Sequence, residues 1–299
     1  MISPILFLIV IDWVMKKSTE GRPRGITWKA FSQLEDEDFA DDIALLSHSH
    51  RDMQEKTAQI ETIARSVGLK INHNKSKIMK VSANPTTEIL VNDMALENVE
   101  EFNYLGSYLN ADGDINREIS SRIANASLAF QRLKNIWSSG QINETTKIKL
   151  YKSNVRSVLL YAAETWKTNQ RIESRLRGFE GRCLRRILGI RWEHKVTNER
   201  IAVRTGVNSI VEEAKIRRWR WLGHILRMRR NRHPVIALNW NPQGKRSRGR
   251  PRGTWRRTVD TEGSKANKTW HELKWLAQDR NGWRDYVVAL CAQRDDENR

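Results

Sequence analysis

The chain opens on an apolar run, Ile2 to Met15, that Asp12 alone interrupts. Ser3-Pro4 at its head is a helix start, a Ser cap followed by Pro at the first helical position. Residues 4–16 therefore read as a core helix. The run is too short to span a bilayer. With no basic segment before it and no small-residue cleavage site after it, it does not read as a signal peptide. A buried helix as the first element suggests a chain that begins inside a domain. Residues 18–25 read as a polar loop and Gly25 to Phe31 as a strand, with Ile26 and Trp28 on one face. An acidic stretch then meets the apolar Ile43-Ala44-Leu45-Leu46, and 36–47 reads as a hairpin. Asp52 is expected to cap a helix whose Met53, Ile60, Ile63 and Val67 recur at helical spacing, ended by Gly68. Short strands are expected at Leu69–Ile71, Ile78–Val81, Glu88–Val91 and Phe102–Leu109, the last with Gly106 as a bulge or close-approach site.

From Asp112 the period becomes helical. Ile115, Ile119, Ile123, Ala126, Phe130, Leu133 and Trp137 form one stripe. A second helix starts at Asn143 and runs through Ile148, Tyr151, Val155 and Leu159. A third carries Ile172, Leu176, Phe179, Cys183 and Ile187 and stops near Gly189. Short links between three amphipathic helices suggest a bundle. Ser209-Ile-Val-Glu212 reads as a capping box opening a helix to about Arg229, and Thr269-Trp-His-Glu272 as another. Short helices near 270–279 and 283–293 follow. Before Thr269, Asn239 to Arg257 is punctuated by Pro and Gly and is too polar for a core.

Charge changes the picture of the last third. The 299 residues carry a net charge of +18, and 1–170 contribute none of it, with 21 basic and 21 acidic residues. Residues 171–299 hold the other 32 of the 53 basic and 14 of the 35 acidic residues. Such asymmetry points to a polyanionic partner, nucleic acid or membrane surface, for the basic half. The two cysteines, Cys183 and Cys291, form no disulfide framework and no zinc spacing, which suits a reducing intracellular compartment, nuclear or cytoplasmic.

The candidate chemistry is Phe39-Ala40-Asp41-Asp42. Two ionised carboxylates are costly to bury without a partner. A turn open to water or a bound divalent cation keeps them cheaply, and a hairpin tip allows both. Mg²⁺ prefers oxygen ligands and is held by one or two carboxylates plus substrate phosphates. The plain alternative is that Asp is common in turns. In the basic third, Arg248-Gly249-Arg250-Pro251-Arg252-Gly253 resembles an AT-hook core, suited to a narrow A·T minor groove. An unstructured basic loop binding any polyanion is the alternative. Trp219 and Trp221, within a basic helix at 215–230, suit base stacking or the inside of a small helical domain.

Four blocks in order resemble the C-terminal half of a reverse transcriptase of a non-LTR (LINE-like) retrotransposon, of the endonuclease–reverse transcriptase type. SPILFLIVIDWV resembles the second half of its motif B, FADD its motif C, GLKINHNKSKIM its motif D and FNYLGSYL its primer-grip hairpin. WLGHILRM, GKRSRGRPRGTW and AQDRNGWRDYV resemble the region downstream. The resemblance implies an α+β fold: an incomplete polymerase palm at 1–110, built from a β-hairpin and helices, a helical thumb at 111–190, and a basic α-helical C-terminal extension at 191–299. It implies that Asp41 and Asp42 are catalytic carboxylates binding Mg²⁺, with Asp41 the surer ligand. Lys75 would neutralise or protonate the leaving pyrophosphate. Phe39 and Ala40 would lie near the primer end, and Tyr104, Leu105 and Gly106 would hold the primer strand. The implied partners are an RNA template, a DNA primer or target, and dNTP, with no membrane. The family's motif A Asp, fingers and Gln-Gly before motif B are not among these residues, so the two-metal site is expected to be incomplete and the chain inactive alone. Sequence leaves the oligomeric state open.

Overall fold

The computed structural model describes residues 3–29, 32–81, 88–240 and 253–292, an α+β arrangement in which helices dominate and five two-stranded sheets are seen among the described residues. Those within Met1–Asp114 and Asn239–Arg246 form one compact unit, and those within Ile115–Leu238 and Ser247–Arg299 form another.

The first unit opens with α1 (Ser3–Thr19). The helix is there, but it is not a core helix. Only Val14, Met15 and Ser18 are buried, while Ile5, Leu6, Leu8, Ile9 and Trp13 are exposed, Ile5 by 61%. A run apolar on all sides specifies a helix without specifying which face is covered. Here α1 packs against α2 (His50–Ser66). Between them, β1 (Ile26–Lys29) and β2 (Ser32–Leu34) pair antiparallel. Trp240 docks on this ribbon, its Nε1 donating to the Thr27 carbonyl at 3.0 Å and its ring centroid 5.7 Å from that of Trp28. The cap of α2 is Ser49 rather than Asp52. Its Oγ accepts from the Asp52 N–H at 3.0 Å and donates to the Asp52 carboxylate at 2.7 Å, so Asp52 is the acidic residue of the first turn. Gly68, at φ +79°, follows the helix as expected.

The strands after α2 are shorter than the pattern suggests. β5 (Lys77–Ile78) pairs in parallel with β8 (Glu97–Asn98), and β6 (Leu90–Val91) with β7 (Met94–Ala95). Leu69–Ile71 forms no strand: Ile71 contributes by packing on Ile89, Val91 and Leu96, not by joining a ladder. The periodicity suggests a strand at Phe102–Leu109; the segment is instead a hairpin of β9 (Glu101–Tyr104) and β10 (Ser107–Asn110), as the resemblance of FNYLGSYL to a hairpin implies. Leu105 and Gly106 both have positive φ, +50° and +77°, the pattern of a type I′ turn, so Gly106 is a turn residue rather than a bulge.

The second unit begins with α3 (Asn116–Arg132), α4 (Lys134–Ser138) and α5 (Glu144–Leu150), the last capped by Asn143. A π-helical stretch, Tyr151–Arg156, leads into α6 (Ser157–Leu159). Next come α7 (Gln170–Ile187), α8 (Asn198–Thr205) and α9 (Ile210–Arg227). Ile119, Tyr151, Leu159, Ile172 and Leu176, all on the stripes, are completely or almost completely buried in one cluster, and Ile210 of α9 joins them. Glu180 is buried on α7, accepts the Ile210 N–H at 2.9 Å and faces Arg156 at 3.5 Å. Burial pushes its carboxyl above the ordinary range, against the pull of Arg156.

A second cluster assembles the C-terminal elements: α10 (His233–Asn239), α11 (Trp255–Lys265), α12 (Trp270–Leu276) and α13 (Arg280–Ala292). Trp219, Leu222, Val259, Leu273, Trp283, Val287 and Leu290 fill it, with Trp255 packed against it. The end of the segment that reads as too polar for a core therefore folds: Thr254 caps α11, and Trp255 Nε1 donates to the Glu164 carbonyl at 2.7 Å. Cys183 lies in the first cluster and Cys291 in the second, and burial pushes their thiols up to about 12 and about 11. Among the described residues no helix is long and apolar enough to cross a membrane.

Ala162 sits at φ +56°, in the left-handed region, just before the short turn Ala163–Thr165. A Cβ there costs about 1 kcal/mol relative to glycine. Ala162→Gly is expected to leave the urea midpoint of the second unit unchanged or raise it by the equivalent of at most about 0.5 kcal/mol, since the strain it removes only slightly exceeds the entropy it adds to the unfolded chain.

Candidate functional site

The hairpin at 36–47 is present, and its tip is tight. β3 (Asp36–Phe39) and β4 (Asp42–Leu45) pair antiparallel with Asp36 opposite Leu45 and Phe39 opposite Asp42. The loop is therefore the dipeptide Ala40-Asp41. Ala40 has φ +58° and Asp41 does not share the positive φ, the pattern of a type II′ turn, whose first central position favours glycine. The turn keeps both aspartates in water: Asp41 is a loop residue, Asp42 begins β4, and both are exposed. Phe39 is 64% exposed beside them.

Two side chains outside the hairpin fix it. Tyr104, at the end of β9, donates its hydroxyl to the carbonyls of Glu37 and Asp42, at 2.9 and 3.3 Å. The hydroxyl of this predicted primer-contacting residue is thus directed at the backbone that carries the aspartates. Loss of solvent, then the charges of Asp38, Asp42 and Glu37, raise its phenol above the ordinary range.

The second support was not anticipated from sequence. Lys56 on α2 is 1% exposed. Its ammonium donates to the carbonyls of Glu35 and Leu46, at 2.9 and 2.7 Å, and pairs with the Glu35 carboxylate at 2.7 Å. Glu35 and Leu46 flank the two strands and are themselves joined, Leu46 N to Glu35 O at 2.9 Å. The other Glu35 oxygen accepts from the Arg24 and Gly25 N–H groups, at 2.9 and 2.8 Å. Burial pushes Glu35 up, but the Lys56 and Gly25 hydrogen bonds and the Lys56 charge bring it below the ordinary carboxylate range. Gly25 is obligatory, since a Cβ there would lie 2.9 Å from the Glu35 Cα and closer still to the Leu34 carbonyl. One signal was legible: Lys56 falls on the apolar stripe between Met53 and Ile60, where a solvated lysine does not belong.

Asp36 and Asp38 project from one face of β3 and share a hydrogen bond. Desolvation, then the charge and hydrogen bond of Asp36, then Glu37 and Asp12, push Asp38 up to about 7. A carboxyl raised on folding binds its proton more firmly in the native state. Stability is therefore full below about pH 4 and is lost as pH rises through about 7. Asp38→Asn is expected to flatten this dependence. In urea titrations at pH 5 and pH 8 the wild-type first unit should lose on the order of 1 kcal/mol, discounted for the water this group still meets, and the variant almost none. Glu35 has the opposite sign: its contribution is present above its unfolded value and fades as pH falls through the depressed one.

The remaining candidates are dispersed. Lys75 lies exposed in the turn after Asn72, its N–H donating to the Asn72 carbonyl at 3.1 Å, and among the described residues no hydrogen bond or ion pair joins it to the hairpin. Leu105 and Gly106 form the β9–β10 turn. Arg248, Arg250 and Arg252 lie outside the described residues.

The basic helix at 215–230 is not a row of solvated arginines with stacking tryptophans. Arg218 is 1% exposed, paired with Glu262 and donating to Thr168 Oγ1 at 3.0 Å, and Trp219 Nε1 donates to Glu262 at 2.6 Å. Arg217 and Arg227 donate to the carbonyls of Leu160 and Ala277, at 2.9 and 3.0 Å. Glu262 and those carbonyls claim these groups for the fold. Arg220, Arg229 and Arg230 remain exposed.

The donor set at the tip, two exposed carboxylates one residue apart, suits Mg²⁺ as one arm of a site. Among the described residues no group of three or more His, Cys, Asp or Glu side chains is arranged to hold a metal.

Residues 1–109 match the family model described as reverse transcriptase (RNA-dependent DNA polymerase), and residues 129–161 match one described as a domain of unknown function. A transposon-derived protein of Caenorhabditis elegans is 27% identical over 257 residues, covering 82% of this chain and 92% of that protein. No solved structure matches. The chain is thus related in sequence to reverse transcriptases and to transposon-derived protein.

Proposed function

We propose, on the premise of this reverse-transcriptase relationship, that the chain is the C-terminal part of an RNA-directed DNA polymerase of a non-LTR retrotransposon, and that the β3–β4 tip is one arm of its nucleotidyl-transfer site. The observation that carries the reading is the adjacent pair Asp41, in the two-residue turn, and Asp42, at the start of β4, exposed at the tip yet braced from below by Lys56 and from the side by Tyr104. Preorganised carboxylates of this kind cost little reorganisation when charge arrives.

In this reading Asp41 and Asp42 hold Mg²⁺, with Asp41 the principal ligand. When bound, Mg²⁺ would neutralise dNTP phosphate charge and favour the ionised primer hydroxyl. The chain's own part is positioning. Phe39 and Ala40 shape the surface beside the primer end, and the β9–β10 turn at Leu105-Gly106 bears on the primer strand. Lys75 answers the charge of the departing pyrophosphate. The RNA template and DNA primer or target are the macromolecular partners.

With two carboxylates and no third among the described residues, these residues alone should bind the metal weakly and extend primers poorly. Primer extension on poly(rA)/oligo(dT) with the purified chain is expected to give no incorporation above background. Mn²⁺ titration followed by paramagnetic relaxation should give weak binding that Asp41→Ala abolishes. Robust Mg²⁺-dependent incorporation lost in Asp41→Ala would refute the inactivity. Mn²⁺ binding indifferent to both aspartates would refute the site.

A second reading is favoured by the charge of residues 171–299: a non-enzymatic DNA- or RNA-binding protein acting through its Arg-rich region, with Arg248, Arg250 and Arg252 at its centre. Binding abolished by deletion of 240–257 and untouched by substitutions at Asp41 and Asp42 would support it over the polymerase.

A further inference from the structure

Tryptophan is among the more buried residue types, yet Trp192 is 84% exposed. It stands in the connection between α7 and α8, and that connection is built rather than slack. Leu188, Ile190 and Val196 pack on the first hydrophobic cluster on either side of it. Arg185 reaches across to the Val196 carbonyl at 3.1 Å and to Asn198 Oδ1 at 2.8 Å. Within the loop, Arg191 to Lys195 closes as a compact turn. The His194 N–H donates to the Arg191 carbonyl, the Lys195 N–H donates to the Trp192 carbonyl, and His194 Nδ1 accepts the Arg191 N–H at 3.1 Å. Lys195 accepts a left-handed backbone, φ +46°, to complete the turn. Local strain in an over-determined loop is a mark of functional positions.

The chemistry around the indole narrows what it meets. Arg191, Glu193, His194 and Lys195 are all exposed, so the neighbours of Trp192 along the chain are charged or polar rather than apolar. Among the described residues, no ion pair engages Arg191 or Lys195. The half of the chain that contains them carries the whole net positive charge. An indole in water between unpaired cations is the pairing that non-specific single-strand binders use, a ring for the base and cations for the backbone.

We propose that the Trp192 turn is a stacking platform for an unpaired nucleic-acid base, with Arg191 and Lys195 contacting the flanking phosphates. A base within a duplex is already stacked on both faces and does not satisfy the platform. The proposal does not rest on the hairpin chemistry: Asp41→Ala leaves it unchanged, and its failure leaves the polymerase reading standing.

The test is fluorescence anisotropy of the full chain with labelled strands of about 15 nucleotides, the upper end of a single-strand site. The probes are oligo(dT), oligo(U), a duplex of the same length, and a fully abasic strand. The basic C-terminal third supplies a background on every probe, so the readout is the difference between probes. Trp192→Ala is expected to weaken oligo(dT) and oligo(U) binding by about 5- to 50-fold and to leave the abasic strand and the duplex within about twofold. Trp192→Phe should keep most of the affinity. Unequal losses on oligo(dT) and oligo(U) identify whether the occupant is DNA or RNA. Arg191→Ala with Lys195→Ala should lower the salt slope by about 0.7 per charge, whereas Trp192→Ala leaves it unchanged. Equal loss on abasic and base-bearing strands would overturn the proposal. So would unchanged binding accompanied by a shift in sedimentation, which would assign the indole to contact between copies. Wild-type protein that binds abasic and base-bearing strands equally would overturn it with no variant at all.

Discussion

Lys56→Met is expected to unfold or nearly unfold the first unit, with a loss of about 3–5 kcal/mol in urea titration, the cost of breaking a buried ion pair from one side. Methionine keeps the length of the side chain and fills its space, so the loss reports charge and hydrogen bonding rather than a cavity. It leaves the Glu35 carboxylate without its ammonium and the Leu46 carbonyl without its lysine donor, while the Glu35 carbonyl keeps only the Leu46 N–H. The partner substitution separates the terms. Glu35→Gln keeps acceptors for Arg24 and Gly25 while removing the charge, and in the Lys56→Met background it should recover part of the loss. A Lys56→Met protein as stable as wild type would show that the ammonium does not brace the hairpin, and the rigid tip invoked for Asp41 and Asp42 would lose its foundation.

Gly223→Ala should destabilise the second unit by about 2–3 kcal/mol or more, the upper range for overpacking. Gly223 lies on α9 opposite α13, with the Trp283 indole laid against its backbone. A Cβ built on Gly223 would fall 2.6 Å from Cε2 and 2.7 Å from Cδ1 of that ring, inside van der Waals contact. The indole cannot retreat freely, because its Nε1 donates to the Trp219 carbonyl at 3.0 Å and its other neighbours are the Trp219 and Tyr286 rings, at centroid distances of 5.9 and 5.8 Å. Trp283→Phe should relieve the clash in the double variant and recover some stability, although it forfeits the hydrogen bond. Thermal unfolding by circular dichroism of the single and double variants measures both.

These two positions also show what the sequence could and could not reveal. Helices were legible wherever a stripe and a cap coincided, as at Asn143 and Thr269, because both signals are local. The hairpin was legible because an acidic dipeptide between two short runs leaves few other folds. Burial was not legible where the deciding partner is remote in sequence. The sequence left Trp219 open between base stacking and the inside of a helical domain, and what decides for the inside is Glu262, more than forty residues on, which takes both Arg218 and Trp219. α1 reads as core because apolar content says nothing of what covers it. Asp52 reads as the cap of α2, and Ser49, three residues earlier, holds that position instead. The β5–β8 pair joins two-residue strands across eighteen intervening positions, too short for any alternation to register. Of the candidate site, the tip was legible as a motif and its bracing by Lys56 was not, though a lone cation on an apolar stripe was there to be seen.

The two cysteines have a practical meaning. Each thiol is sequestered in a different hydrophobic cluster and held protonated at neutral pH, so both are poor nucleophiles toward maleimides while the chain is folded. A single cysteine introduced at an exposed turn is then the preferred attachment point for a fluorophore or spin label without removing either native residue. Labels at two such turns within one unit turn the protein into a ruler that reads out its own unfolding.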